Sequence, residues 1–147
     1  MAMAFMKSLY VVMIIAFGVC ADDIYEMPSL ITNWNLNVKS HSKFTVKIRG
    51  NPTTGYIWII DNAEKVNIMN ESSNLITCIN LNNNNSTNDY LMDNQNENIV
   101  GQSGFYLFNF ITNIVTFPTS FEIDFIEKKP WEKNPFRIVK VIITVNP

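Results

Sequence analysis

The sequence predicts an all-β fold, an immunoglobulin-like β-sandwich of about seven to eight strands. Three observations carry that expectation. Beyond the N-terminal stretch, apolar residues recur at every second position, the period of a strand rather than of a helix. The apolar runs are short, and Gly, Pro, Asn or Ser clusters bound most of them. No capped amphipathic helix competes with them.

The runs follow in chain order. A first lies near Leu36. In the second, Phe44, Val46 and Ile48 alternate with Thr45, Lys47 and Arg49. Further runs cover 56–61, 75–81 and 105–112, the last carrying Tyr106, Phe108 and Phe110, with Leu107 making it apolar on both sides. At 120–127 Phe121, Ile123 and Phe125 alternate with Glu122 and Asp124. The final run, 136–145, is a β-branched stripe of Val139, Val141, Ile143 and Val145.

The chain has 147 residues, which fits one domain. Residues 1–21 have the layout of a secretory signal peptide: Lys7, a charge-free run from Leu9 to Val19, then small residues before Asp22 and Asp23. The run is about half of the roughly 20 residues a membrane-spanning helix needs, so stable membrane insertion is not expected. Cleavage after Ala21 would remove Cys20 and leave Cys78 alone; cleavage after Gly18 would keep both and permit a bridge. The mature domain, 22–147, is long enough to fold on its own core. The leader places it in the secretory pathway, secreted or in the lumen of lysosome-like vesicles. With Lys+Arg 11 against Asp+Glu 13 and a net charge of −2, it has no long-range attraction for phosphate backbones, which argues against nucleic acid as a partner.

Residues 82–98 break the strand spacing. Asn dominates there, and such a tract buries too little apolar area to offset its ordering entropy, so a disordered loop is expected, with Tyr90, Leu91 and Met92 able to dock locally. Asn70, Asn84 and Asn85 each begin a glycosylation sequon.

Three stretches between the runs stand out. In Asn51-Pro52-Thr53-Thr54-Gly55-Tyr56, Pro52 fixes its own φ, restricts Asn51 to extended backbone, and Gly55 permits a positive-φ return; the loop is stiff, whether or not it is more than a tight turn. Gly101-Gln102-Ser103-Gly104 is either a bulge or a place where backbone approaches another surface closely. In Lys128-Lys129-Pro130-Trp131-Glu132 the indole either caps the core or anchors a partner.

Together, and in this order, these stretches resemble the chagasin-like family of cysteine peptidase inhibitors, whose loops read Asn-Pro-Thr-Thr-Gly-aromatic, Gly-x-Gly-Gly and Arg-Pro-Trp. The resemblance runs from roughly Trp34 to Val145. The first motif matches in full and is followed by Trp58, which resembles the family's buried tryptophan. Ser103 stands where a glycine is usual, and Lys129 where the family has arginine; lysine lacks arginine's planar fork, so contacts made there are expected to weaken. The resemblance implies a monomer that reversibly and non-covalently inhibits papain-type, cathepsin L-like cysteine peptidases in a one-to-one complex, its three loops occluding the active-site cleft. Asn51–Tyr56, Gly101–Gly104 and Lys129–Trp131 would make the contacts, with Thr53 and Thr54 lying across the enzyme's catalytic pair.

No enzyme chemistry competes. The lone His41 lies in a polar stretch, Cys78 sits in an apolar run as a buried thiol, no metal-ligand spacing occurs, and no cofactor is implied. The alternative is a secreted immunoglobulin-like binding or adhesion module without inhibitory activity, which shares the fold but has no use for the three loops.

Overall fold

The computed structural model describes residues 22–61, 76–78, 89–92 and 103–147. The leader, the sequons at Asn70, Asn84 and Asn85, and two of the expected site residues, Gly101 and Gln102, lie outside the described residues. Nine strands form among the described residues: β1 (Asp23–Glu26), β2 (Asn33–Lys39), β3 (Lys43–Gly50), β4 (Ile57–Ile60), β5 (Ile76–Cys78), β6 (Asp89–Met92), β7 (Gly104–Thr112), β8 (Thr119–Lys128) and β9 (Arg137–Asn146). They make two sheets. One runs β1-β3-β7-β5, with β6 also on β7; the other runs β2-β9-β8-β4. The fold is the expected all-β, immunoglobulin-like sandwich.

Side-chain alternation explains why the sheets face each other. Phe44, Val46, Ile48, Phe108 and Phe110 point inward from the first sheet; Leu36, Trp58, Ile123, Phe125, Val141 and Ile143 meet them from the second. Phe108 packs edge-on to Phe125 across the sandwich at 4.9 Å, and Phe44 stacks on Phe110 at 5.0 Å. Trp58 is fully buried. The outer face of β7 is half apolar: Phe105 is buried there because the Lys47 ammonium, 3.6 Å from its ring centre, and the Arg49 guanidinium, 4.5 Å away, cover it.

Two strands exceed the sequence expectation. β1 adds parallel to β3, Asp23 opposite Phe44 and Glu26 opposite Lys47. β6 forms within the Asn-rich tract, where Asp89–Met92 pairs antiparallel with β7, Tyr90 opposite Tyr106. The remainder of 82–98 lies outside the described residues. β2 runs parallel to β9, so the segment 27–32 crosses from one sheet to the other. Its ends are tied by Met27 N donating to Lys47 O (2.8 Å) and Lys140 N donating to Thr32 O (2.9 Å).

One pole of the sandwich is closed by Thr112, a fully buried polar residue at the end of β7. Its hydroxyl lies 2.7 Å from Lys39 O and accepts from Ser42 N at 2.9 Å, stapling the β2–β3 turn to β7. His41 takes φ 50 within that turn. Removing the hydroxyl while keeping the shape takes away the acceptor for Ser42 N and leaves Lys39 O with the Ser42 hydroxyl, 2.7 Å away. Thr112→Val is therefore expected to cost about 1–3 kcal/mol of unfolding free energy, read by urea denaturation. Because it sits at the end of β7 opposite Gly104, the substitution should leave any binding by the other pole unchanged.

Candidate functional site

Strand register assembles the other pole. β3 ends with Gly50 opposite Gly104, the first residue of β7. The chain then makes the loop Asn51–Tyr56 and re-enters the second sheet at Ile57, opposite Lys128, the last residue of β8. The loop is thus held between Ser103-Gly104 on one side and Lys129-Pro130-Trp131 on the other. Side-chain contacts agree. A Cβ added to Gly55 would lie 3.2 Å from Cη2 of Trp131, and the Lys129 ammonium lies 5.0 Å from the centre of the Tyr56 ring. At the other flank Arg49 Nη1 is 3.5 Å from Ser103 Oγ.

The loop folds on itself. Asn51 has extended backbone, φ −139 and ψ 98, as a residue before proline requires. Its side-chain oxygen accepts from Thr53 N (3.1 Å) and from the Thr53 hydroxyl (2.6 Å). The Thr54 hydroxyl donates to Asn51 O at 2.6 Å. Pro52–Thr54 forms a single 3-10 turn, and Gly55 N donates to Pro52 O at 2.9 Å. Gly55 adopts φ 82, which closes the turn and which a side chain would strain. Both threonines, absent from any minimal hairpin requirement, serve here as local hydrogen-bond donors. Pro52, Thr53 and Thr54 remain exposed at the tip.

Beneath the loop stand two phenols that sequence reasoning did not select. The Tyr106 hydroxyl donates to Tyr56 O (3.3 Å), and the Tyr90 hydroxyl donates to Gly50 O (3.2 Å), so the two carbonyls that bracket the loop are both held. The rings meet edge to face at 5.1 Å. Gly50 makes room for this arrangement: a Cβ there would come within 2.6 Å of Tyr106 Cε2. Gly104 lies against Leu91 O and the Tyr90 ring in the same way. Burial, with the neighbouring Tyr90 and Glu127, pushes the Tyr106 phenol up to about 12.

The third stretch is a β-turn with Pro130 at its second position, closed by Glu132 N donating to Lys129 O at 3.0 Å. Lys129 and Glu132 also pair through their side chains at 3.3 Å. That hydrogen bond, the Glu132 charge and Tyr56 hold the Lys129 ammonium above its ordinary value. Between them Trp131 is 72% exposed, so it does not cap the core. Phe136, absent from the expected site, is 69% exposed and packs on Tyr56 at 5.1 Å between ring centres. The period-two pattern had placed Phe136 in the last strand; the strand begins one residue later. Among the described residues no cluster of His, Cys, Asp or Glu could hold a metal ion.

No curated protein sequence matches this one. Solved structures do. The cysteine protease inhibitor EhICP2 of Entamoeba histolytica superposes with a TM-score of 0.55 at 16% identity, over 84% of this chain and 96% of that one. Amebosin superposes with a TM-score of 0.54 at 18% identity, over 86% of this chain and 100% of that one. At such identities the likeness is one of fold. Sequence supplies the family: the model of the chagasin family of peptidase inhibitors, I42, matches residues 37–145, which take in every strand from β3 to the end of the core and all three site stretches. The chain belongs to the chagasin family, a family of peptidase inhibitors and not of enzymes.

Proposed function

We propose that this protein is a reversible, non-covalent inhibitor of papain-type, cathepsin L-like cysteine peptidases, forming a one-to-one complex in which three loops occlude the active-site cleft. The observation that carries the reading is the meeting of Asn51–Tyr56, Ser103-Gly104 and Lys129–Trp131 at one end of the sandwich, with Trp131 exposed beside Gly55. Family membership supports inhibition of a peptidase; the class of peptidase follows from the motif resemblance and from the inhibitor EhICP2 sharing the fold.

The physics favours tight association without chemistry. A loop closed by its own hydrogen bonds and held from below loses little further freedom on binding, so less of its contact energy is spent on ordering. An exposed indole costs the free protein its hydration and repays it when a partner covers it, which is why tryptophans dominate interface energetics. Thr53 and Thr54 use their hydroxyls within the loop and present a backbone already in a tight turn rather than the extended form a peptidase cleaves. The leader pattern at 1–21 supports delivery to the secretory pathway, and to either the exterior or a lysosome-like lumen.

Recombinant 22–147 is expected to titrate papain or a cathepsin L-like enzyme near one to one; full peptidase activity at micromolar protein would refute the proposal. Trp131→Ala should raise the inhibition constant tenfold or more, about 1.4 kcal/mol, with an unchanged thermal melt. A rise under twofold would remove Trp131 from the interface.

Tyr106→Phe tests the support. Burial pushes the folded phenol up to about 12 against an ordinary value near 10, so its contribution to stability is complete below pH 10 and is lost as pH rises toward 12. Urea unfolding across pH 9 to 12 should show that loss in the wild type and lack this component in the variant. Tyr25, also raised, titrates in both proteins and cancels in the comparison. At neutral pH the variant should inhibit several-fold more weakly, because the loop has lost one of its two ties.

A further inference from the structure

The crossover between β1 and β2 reaches the same pole as the three loops. β1 rises alongside β3 and β2 descends alongside β9, so Pro28 to Ile31 lies level with the ends of β3 and the start of β9. Leu30 stands in this segment with φ 63 and 94% of its surface exposed. Both facts oppose stability. The left-handed region is disfavoured for a leucine, and turn positions that need it ordinarily take Gly, Asn or Asp. A leucine side chain in water gains nothing by packing. Among the described residues the other non-glycine with positive φ, His41, differs: it is a polar residue in a tight turn between β2 and β3.

Two contacts join the crossover to the site. Arg137 donates from Nη2 to Ile31 O at 3.1 Å, and its guanidinium lies 5.4 Å from the Trp58 ring centre. Its chain neighbour Phe136 packs on Tyr56, beside Gly55 and Trp131. Between crossover and strand ends opens a cleft of about 200 Å³ lined by Met27, Leu30, Ile48, Arg49, Trp58 and Arg137. Arg49 also reaches Ser103, the second stretch of the site. The exposed leucine and its cleft are therefore continuous with the loops on both flanks.

Resting on the inhibitor reading, we infer that the crossover is a fourth contact element, in which Leu30 meets an apolar surface on the wall of the bound peptidase's substrate groove. Strain and exposure concentrated on one residue at a binding pole are accounted for when a partner covers it. The contact adds area outside the three motifs and so discriminates among peptidases whose groove walls differ, while the loops engage what those enzymes share.

Leu30→Gly separates the two costs, since glycine accepts φ 63 and lacks the side chain. Thermal melts and inhibition constants against a cathepsin L-like enzyme are measured for wild type, Leu30→Gly and Leu30→Asn, the last keeping a polar side chain tolerated in the left-handed region. The inference expects both variants to melt at or above the wild-type temperature and to inhibit at least fivefold more weakly. Unchanged inhibition within twofold by either variant overturns it, and so does a fall in melting temperature in both, which would show that Leu30 packs inward. Should the wild type itself fail to inhibit, the inhibitor reading falls first, and that result is read independently of the variants.

Discussion

The register of β3 against β7 is the constraint on which the candidate site depends. Gly50 and Gly104 close that ladder as partners, which puts the chain's exit from β3 beside its entry to β7. A slip of one residue would turn Phe44, Val46 and Ile48 outward and expose the core, so burial enforces the pairing. The same burial enforces β4 on β8 through Trp58 and Phe125, which sets Ile57 opposite Lys128. Three stretches far apart in sequence therefore meet because the core admits a single alignment, and the loops themselves contribute little to bringing it about.

Rigidity at the pole has two sources of different reach. Asn51, Thr53 and Thr54 satisfy one another within six residues, a local solution available to the loop before the sheets form. The phenols of Tyr90 and Tyr106 act only once β6 and β7 are in place, because each reaches a carbonyl at an end of the loop. The first gives the loop its shape, and the second fixes that shape relative to Trp131. A loop with the first alone could pivot about Gly50 and Tyr56 and would lose its alignment with Trp131.

What the sequence made legible follows the same division. Alternation disclosed seven strands because each presents one apolar face to the core, and Pro52 and Gly55 disclosed a stiff turn because their backbone preferences are local. β1 was not legible: Ile24 and Tyr25 between acidic residues make too short a pattern, and the strand exists only by adding to β3. β6 was hidden by composition. Asn-rich surroundings argue for disorder, yet Tyr90 packs on Tyr106 and the four residues around it complete a ladder. The exposure of Trp131, open between core cap and anchor in the sequence, was decided by the Lys129–Glu132 turn, whose closing bond has no signature beyond Pro130. Gly50, ordinary as the end of a strand, gains its reason only from the ring beside it.

The lysine at 129 shows how a departure from a family pattern is absorbed. Arginine there would offer a planar fork; Lys129 instead sets its single charge beside Glu132, 3.3 Å away at the surface, and 5.0 Å from the centre of the Tyr56 ring. The pair spans the turn whose backbone is already closed by Glu132 N, so charge and hydrogen bond brace the same four residues. Pro130 holds one of those residues at fixed φ, and what remains free to swing is chiefly the Trp131 side chain, itself resting by its edge on Gly55. The pole thus gives up arginine's directional fork and keeps a turn braced by both side chain and backbone, with the indole exposed beside Gly55. Shape is the property a pre-ordered sandwich tip supplies best, since Tyr106 beneath the loop belongs to the core and Tyr90 packs against it.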